Sequence, residues 1–159
     1  MDALSQATFN ALATLNVQLV LLAALSCGIL RERQGAWFAL SLFFFYASAI
    51  IFDDWFKAND PDHVWRYVRW ALYDVIFLAW LCLLTRKGVV SIYALAVSSA
   101  IELIAITALM LRMFDGVYSD AQITQPYFAP TIWATNFSYV VLAFSPAIKH
   151  VVRRSLKCN

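Results

Sequence analysis

Histidine is nearly missing from this chain. The 159 residues contain two, His63 and His150. They sit in segments expected at opposite membrane surfaces, so paired imidazole ligands for a haem or a metal are not available. A Ser/His hydrolase is excluded too, because no histidine lies at depth. The four glycines, Gly28, Gly35, Gly88 and Gly116, stand at or near segment ends and form no phosphate-binding loop. The three cysteines, Cys27, Cys82 and Cys158, are odd in number and include no Cys-x-x-Cys pair. They read as inert, buried thiols without a structural disulfide. No lysine interrupts an apolar stretch, so a retinal Schiff base has no candidate. Charge is scarce at 14%, against about 25% in a soluble domain. No separate catalytic or nucleic-acid-binding domain fits in what remains, and a net charge of +2 implies no polyanion partner. The acidic loop at 53–62 lacks EF-hand spacing, and Pro61 suits a helix start better than a calcium loop. No cofactor and no enzymatic activity are expected.

What the chain has is apolar length. No formally charged residue occurs in 3–30 or in 121–148. Three further apolar stretches are broken internally by only two carboxylates, Asp74 and Glu102. A bilayer crossing asks for about 20 such residues. The expected fold is therefore all-α: an integral membrane bundle of about five transmembrane helices forming one domain over 1–159. The spans fall at 8–30, 36–52, 62–84, 89–111 and 127–148. The start lacks the basic n-region and cleavage site of a signal peptide, so the first span is expected to stay in the mature protein. Arg31, Arg33, Arg86, Lys87, Lys149, Arg153, Arg154 and Lys157 fall on one side of these spans. Lys57, Arg66, Arg69 and Arg112 fall on the other, together with Asp53, Asp54, Asp60, Asp62, Asp115 and Asp120. The positive-inside tendency then puts the N-terminus outside and the C-terminus in the cytoplasm. The expected location is a bacterial inner (plasma) membrane.

The carboxyls at depth are the residues most able to carry chemistry. Asp74 precedes the turn at 85–88 by about three helical turns and Glu102 follows it by about four. At 1.5 Å per residue their depths differ by about 4–5 Å. A charge at the bilayer centre costs at least about 2.5–3.5 kcal/mol, so such groups face the protein interior, a partner or water. Three roles are open: interhelical hydrogen bonding, a proton or cation pathway, and a ligand site. Ser98 and Ser99 stand one turn from Glu102. Tyr67, Trp70 and Asp74 share a stripe, which offers Asp74 an aromatic donor on a neighbouring helix. Arg66 and Arg69, with Tyr73 a turn deeper, read as snorkelling side chains or as partners for Asp74, Asp53 or Asp54, and Arg112 can join them. Asn16, Gln18, Asn136 and Tyr139 add uncharged polar groups at depth. Asp53, Asp54, Asp60 and Asp62 form an outer acidic cluster. Trp55, Trp65, Tyr67, Trp70, Tyr118 and Tyr127 read as interface anchors.

Residues 130–135, which are Pro130, Thr131, Ile132, Trp133, Ala134 and Thr135, are similar to the last helix of the tryptophan-rich sensory/translocator proteins. That family has five spans and binds tetrapyrroles and sterols. The likeness covers these six residues, and residues 31–35 replace the family's longer connection between spans one and two, so no functional residue is carried over. It leaves apolar-ligand binding as one class of function. A second is a non-catalytic partner, an accessory subunit or an immunity or exclusion factor. The leading class is an ion- or proton-conducting module, with a pathway of Asp74, Glu102, Arg69, Tyr73, Ser98 and Asn136. Its partners would be the lipid bilayer and either further copies of the chain or a larger membrane protein, with no nucleic acid. Ala94, Ser98 and Ala105 give span four a small-residue face for such association.

Overall fold

The computed structural model describes residues 3–59, 65–118 and 123–156, with side chains from residue 11 onward except those of 53, 54, 56, 57 and 118. These residues form five helices and no strand: α1 (Ala3–Ile29), α2 (Arg33–Ala58), α3 (Trp65–Arg86), α4 (Ile92–Tyr118) and α5 (Gln125–Ser155). All five are long and apolar enough to cross a membrane. Three of them run well past the C-terminal ends of the expected spans. The backbone continues as helix through Asp53 and Asp54 to residue 58, through Arg112 and Asp115 to residue 118, and through the basic tail to residue 155. Charge ends a membrane span, but it does not end a helix, whose backbone bonds close internally on either side of the interface. The helix start expected at Asp60 and Pro61 lies outside the described residues.

Two helices end in the same motif. At the end of α1, the Glu32 amide donates to the Cys27 carbonyl at 2.8 Å and the Arg31 amide to that of Gly28 at 3.1 Å. At the end of α3, the Val89 amide donates to Leu84 and the Gly88 amide to Thr85, both at 2.9 Å. This pairing needs a left-handed residue after the helix. Gly88 takes it at φ 68° without a Cβ, whereas Arg31 takes it at φ 60°, at a cost of about 1–2 kcal/mol. Ser91 then caps α4, its hydroxyl accepting from the Ala94 amide at 3.2 Å. In α5, Pro146 withholds the amide that the Leu142 carbonyl would receive, and the Ser145 hydroxyl donates to that carbonyl instead, at 2.9 Å.

The chain divides into two compact units. The first comprises Met1–Ile50 and Val140–Asn159. Its most enclosed side chains are Val20, Ala23, Cys27, Phe38, Ala39, Leu42 and Ala143. Gly35 lets α2 come close to α5: a Cβ there would meet Pro146 Cγ at 2.7 Å, Pro146 Cβ at 2.8 Å and Cys27 Sγ at 3.0 Å. Glu32 and His150 meet at 2.7 Å in the same unit.

The second unit, Ile51–Tyr139, is built on α3 packed against α4. Ala94, Ser98 and Ala105 are buried, so the small-residue face of α4 is turned inward. Tyr67, expected at the interface, is also buried, in a cluster with Ala71 and Leu109 and edge-on to Phe128. Trp55, Trp65 and Tyr127 are exposed as anchors should be. Asp115 joins the end of α4 to the start of α5. It accepts from the Ile123 amide at 3.1 Å, the Thr124 amide at 2.8 Å, the Thr124 hydroxyl at 2.7 Å and Arg112 at 3.2 Å. Arg112 thus pairs within its own helix.

Large apolar side chains lie exposed while a carboxyl is enclosed. Leu103 is 67% exposed and Phe137 63%, whereas Glu102, on the same helix as Leu103, is 4% exposed. A water-soluble monomer rarely exposes apolar patches beyond a few hundred Å².

Candidate functional site

The site lies in the second unit, where α4 contributes two oxygen-bearing side chains and α3 and α5 one each. The helix spacing already places Ser98 and Glu102 on one face of α4, four residues apart. Across from them on α3 stands the half-buried Asp74. The carboxyls of Asp74 and Glu102 lie within hydrogen-bonding reach of each other. Bare carboxylates are acceptors only, so a direct hydrogen bond between the two needs a proton on one of them.

The third member comes from α5. The Tyr139 hydroxyl donates to Glu102 Oε1 at 2.6 Å and lies 3.2 Å from the Ser98 carbonyl oxygen. Phe77 of α3 packs edge-on to the Tyr139 ring, with 5.8 Å between centroids, and steadies the phenol. The Ser98 hydroxyl is fully buried without a hydrogen-bond partner, a condition that costs about 1–3 kcal/mol. An incoming oxygen or cation would relieve it.

The structure joins some of the expected residues and separates others. Asp74 and Glu102 come close to each other, and Ser98 stands one turn before Glu102 on α4. The aromatic donor expected for Asp74 goes to Glu102 instead, because Tyr139 reaches the site from α5. Tyr73, beside Asp74, and Asn136, three residues before Tyr139, are half-buried. Arg69 is half-buried, with its guanidinium carbon 5.7 Å from the Trp70 ring centre. Arg66 lies over Tyr67 at 5.1 Å and donates to its hydroxyl at 3.3 Å. Both follow the stacking habit of arginine rather than forming a ladder of charges. Asp53 and Asp54 lie in the last turns of α2, while Asp60 and Asp62 fall outside the described residues. Cys27 is buried as expected, but Cys82 is exposed because its position on α3 faces away from the core.

Tyr139 was visible in the sequence only as one polar group among several at depth. The Glu32–His150 pair was not foreseen. Its signal was a single acid on the basic side of the chain, with one histidine in the tail on that same side. The chain matches no protein-family model, no curated protein and no solved structure.

Proposed function

We propose that this protein conducts protons across a membrane, with the Asp74–Glu102 pair as its proton-binding station and Tyr139 as the donor that holds Glu102 in place. The observation that carries this reading is a carboxyl 4% exposed in a helix of membrane length, with a second carboxyl from another helix within reach and a phenol at 2.6 Å. An apolar side chain would fill that place at lower cost, since lipid already solvates apolar groups, so two carboxyls at matched depth point to a shared task. Ser98, Asn136, Tyr73 and Arg69 extend the polar path. The acids at 53, 54, 60 and 62 would concentrate cations at the outer mouth. In this reading the N-terminus is outside, the C-terminus is cytoplasmic and the membrane is a bacterial inner membrane. The protein works as a homo-oligomer or beside a larger membrane protein, without covalent catalysis.

The test is proton flux in liposomes. Purified protein is reconstituted with a trapped pH-sensitive dye, and a potassium diffusion potential drives proton entry. The wild type is expected to dissipate the potential. Asp74→Asn and Glu102→Gln are expected to keep helicity and a monodisperse elution profile, since an amide still hydrogen-bonds, and to lose at least ten-fold in rate. Full flux in both amide variants would refute the assignment. No flux in the wild type, with a membrane protein co-purifying, would favour an accessory or immunity role.

A further inference from the structure

The first unit carries a second site that owes nothing to the carboxyl pair. A groove of about 500 Å³ runs between α1 and α2. Its α1 wall is Leu21, Leu25 and Gly28, and Trp37 and Leu40 line it from α2. Its mouth holds Arg31 and Arg33. We infer that this groove binds one anionic phospholipid, with the headgroup phosphate on the two guanidinium groups and an acyl chain laid along the apolar walls.

Four observations carry the inference. The first is length. From Arg31 to Leu21 the wall spans about three helical turns, or ~15 Å, which is half of the ~30 Å hydrocarbon thickness and so the reach of one leaflet. The second is open space. A Cβ built on Gly28 meets nothing within 4 Å, so the lane is unobstructed beside the mouth. The third is charge. Arg31 and Arg33 are exposed, and no carboxylate among the described residues pairs with either. Glu32, the acid between them, is engaged by His150 at 2.7 Å. Two exposed guanidinium groups at one mouth suit a phosphodiester, which arginine binds through paired donors. The fourth is backbone. Arg31 occupies the left-handed position that Gly88 fills in the equivalent motif. The chain thus keeps a guanidinium at the mouth where glycine would sit without strain. Arg31 and Arg33 also belong to the side richer in Lys and Arg, where basic pockets between helices meet anionic headgroups.

Trp37 lines the groove and supplies the probe. The full chain is placed in phosphatidylcholine vesicles containing a minor fraction of lipid brominated on its acyl chains, either phosphatidylglycerol or phosphatidylcholine. Tryptophan quenching is then measured, with Trp37→Phe giving the background of the other five tryptophans. The Trp37 component is expected to be quenched at several-fold lower mole fraction by the anionic lipid. The double variant Arg31→Gln/Arg33→Gln is expected to abolish that preference. Gly28→Leu, which fills the lane without touching the arginines, is expected to weaken quenching of Trp37 by the anionic lipid, and circular dichroism confirms that each variant is folded. Equal quenching by the two lipids in the wild type would overturn the inference. So would a preference that persists in the double arginine variant, or one that Gly28→Leu leaves unchanged.

Discussion

Replacing Gly35 with alanine tests how closely α2 approaches α5 in the first unit. The new Cβ would lie 2.7 and 2.8 Å from two ring carbons of Pro146 and 3.0 Å from Cys27 Sγ. Carbon atoms prefer about 3.5–4.0 Å, so the overlap is about 1 Å. A proline ring has no rotamer with which to withdraw, and the helices themselves must give. That loosens Phe38, Ala39 and Leu42, all enclosed at present. Overpacking of this kind costs about 1–3 kcal/mol. Against it stands the helix propensity gained on leaving glycine, at most about 1 kcal/mol and less in a first turn. The net expectation is a loss of about 1–2 kcal/mol, or about 2–8 °C in Tm for a chain of this size. Thermal unfolding in detergent, followed by circular dichroism, measures it. Pro146→Ala should return part of the loss in the double variant, with a coupling of about 0.5 kcal/mol or more. Gly28→Ala is the control: its Cβ meets nothing, so the substitution should be neutral or slightly stabilising. A Gly35→Ala protein as stable as the wild type would show that the close approach does not exist.

Two further outcomes are expected from single substitutions. Tyr139→Phe removes the donor to Glu102 and should cost about 0.6–2 kcal/mol, the range for interhelical hydrogen bonds in membranes. It should also slow proton flux, and unchanged stability in the same unfolding assay would mean that the bond is not made. Asp115→Ala deprives the two amides and the hydroxyl at 123–124 of their acceptor and should lower Tm. Asp115→Asn should fall between, because it keeps one acceptor oxygen, and an alanine variant as stable as the asparagine one would refute that role.

The five helices were legible because run length alone decides whether a segment can cross a bilayer. Their ends were less so, since Asp53, Asp54, Arg112 and Asp115 mark where an apolar run stops, and the backbone does not stop there. The similar depth of Asp74 and Glu102 followed from a short turn and a constant rise per residue. Tyr139 could not be placed the same way. Its partner is 37 residues away, and the rotation of α5 against α4 is set by packing, which local spacing does not encode. The burial of Ala94, Ser98 and Ala105 was not legible in the same way, because which face of α4 is covered depends on the tertiary fold.

The phenol of Tyr139 carries one hydrogen and has two oxygens within reach, Glu102 Oε1 and the Ser98 carbonyl. When residue 102 is a bare carboxylate, that hydrogen is committed to it. When residue 102 is a carboxylic acid, the acid can donate to the phenol oxygen, and the phenol hydrogen turns to the Ser98 carbonyl. That carbonyl lies four residues before Glu102 in α4, so it is also the acceptor for the backbone amide of Glu102 in the helical ladder. The arrival of a proton on the side chain would therefore be written onto the hydrogen bond of the same residue's own turn of helix. Occupancy of the site and the geometry of α4 would change together, through a single hydroxyl rotation.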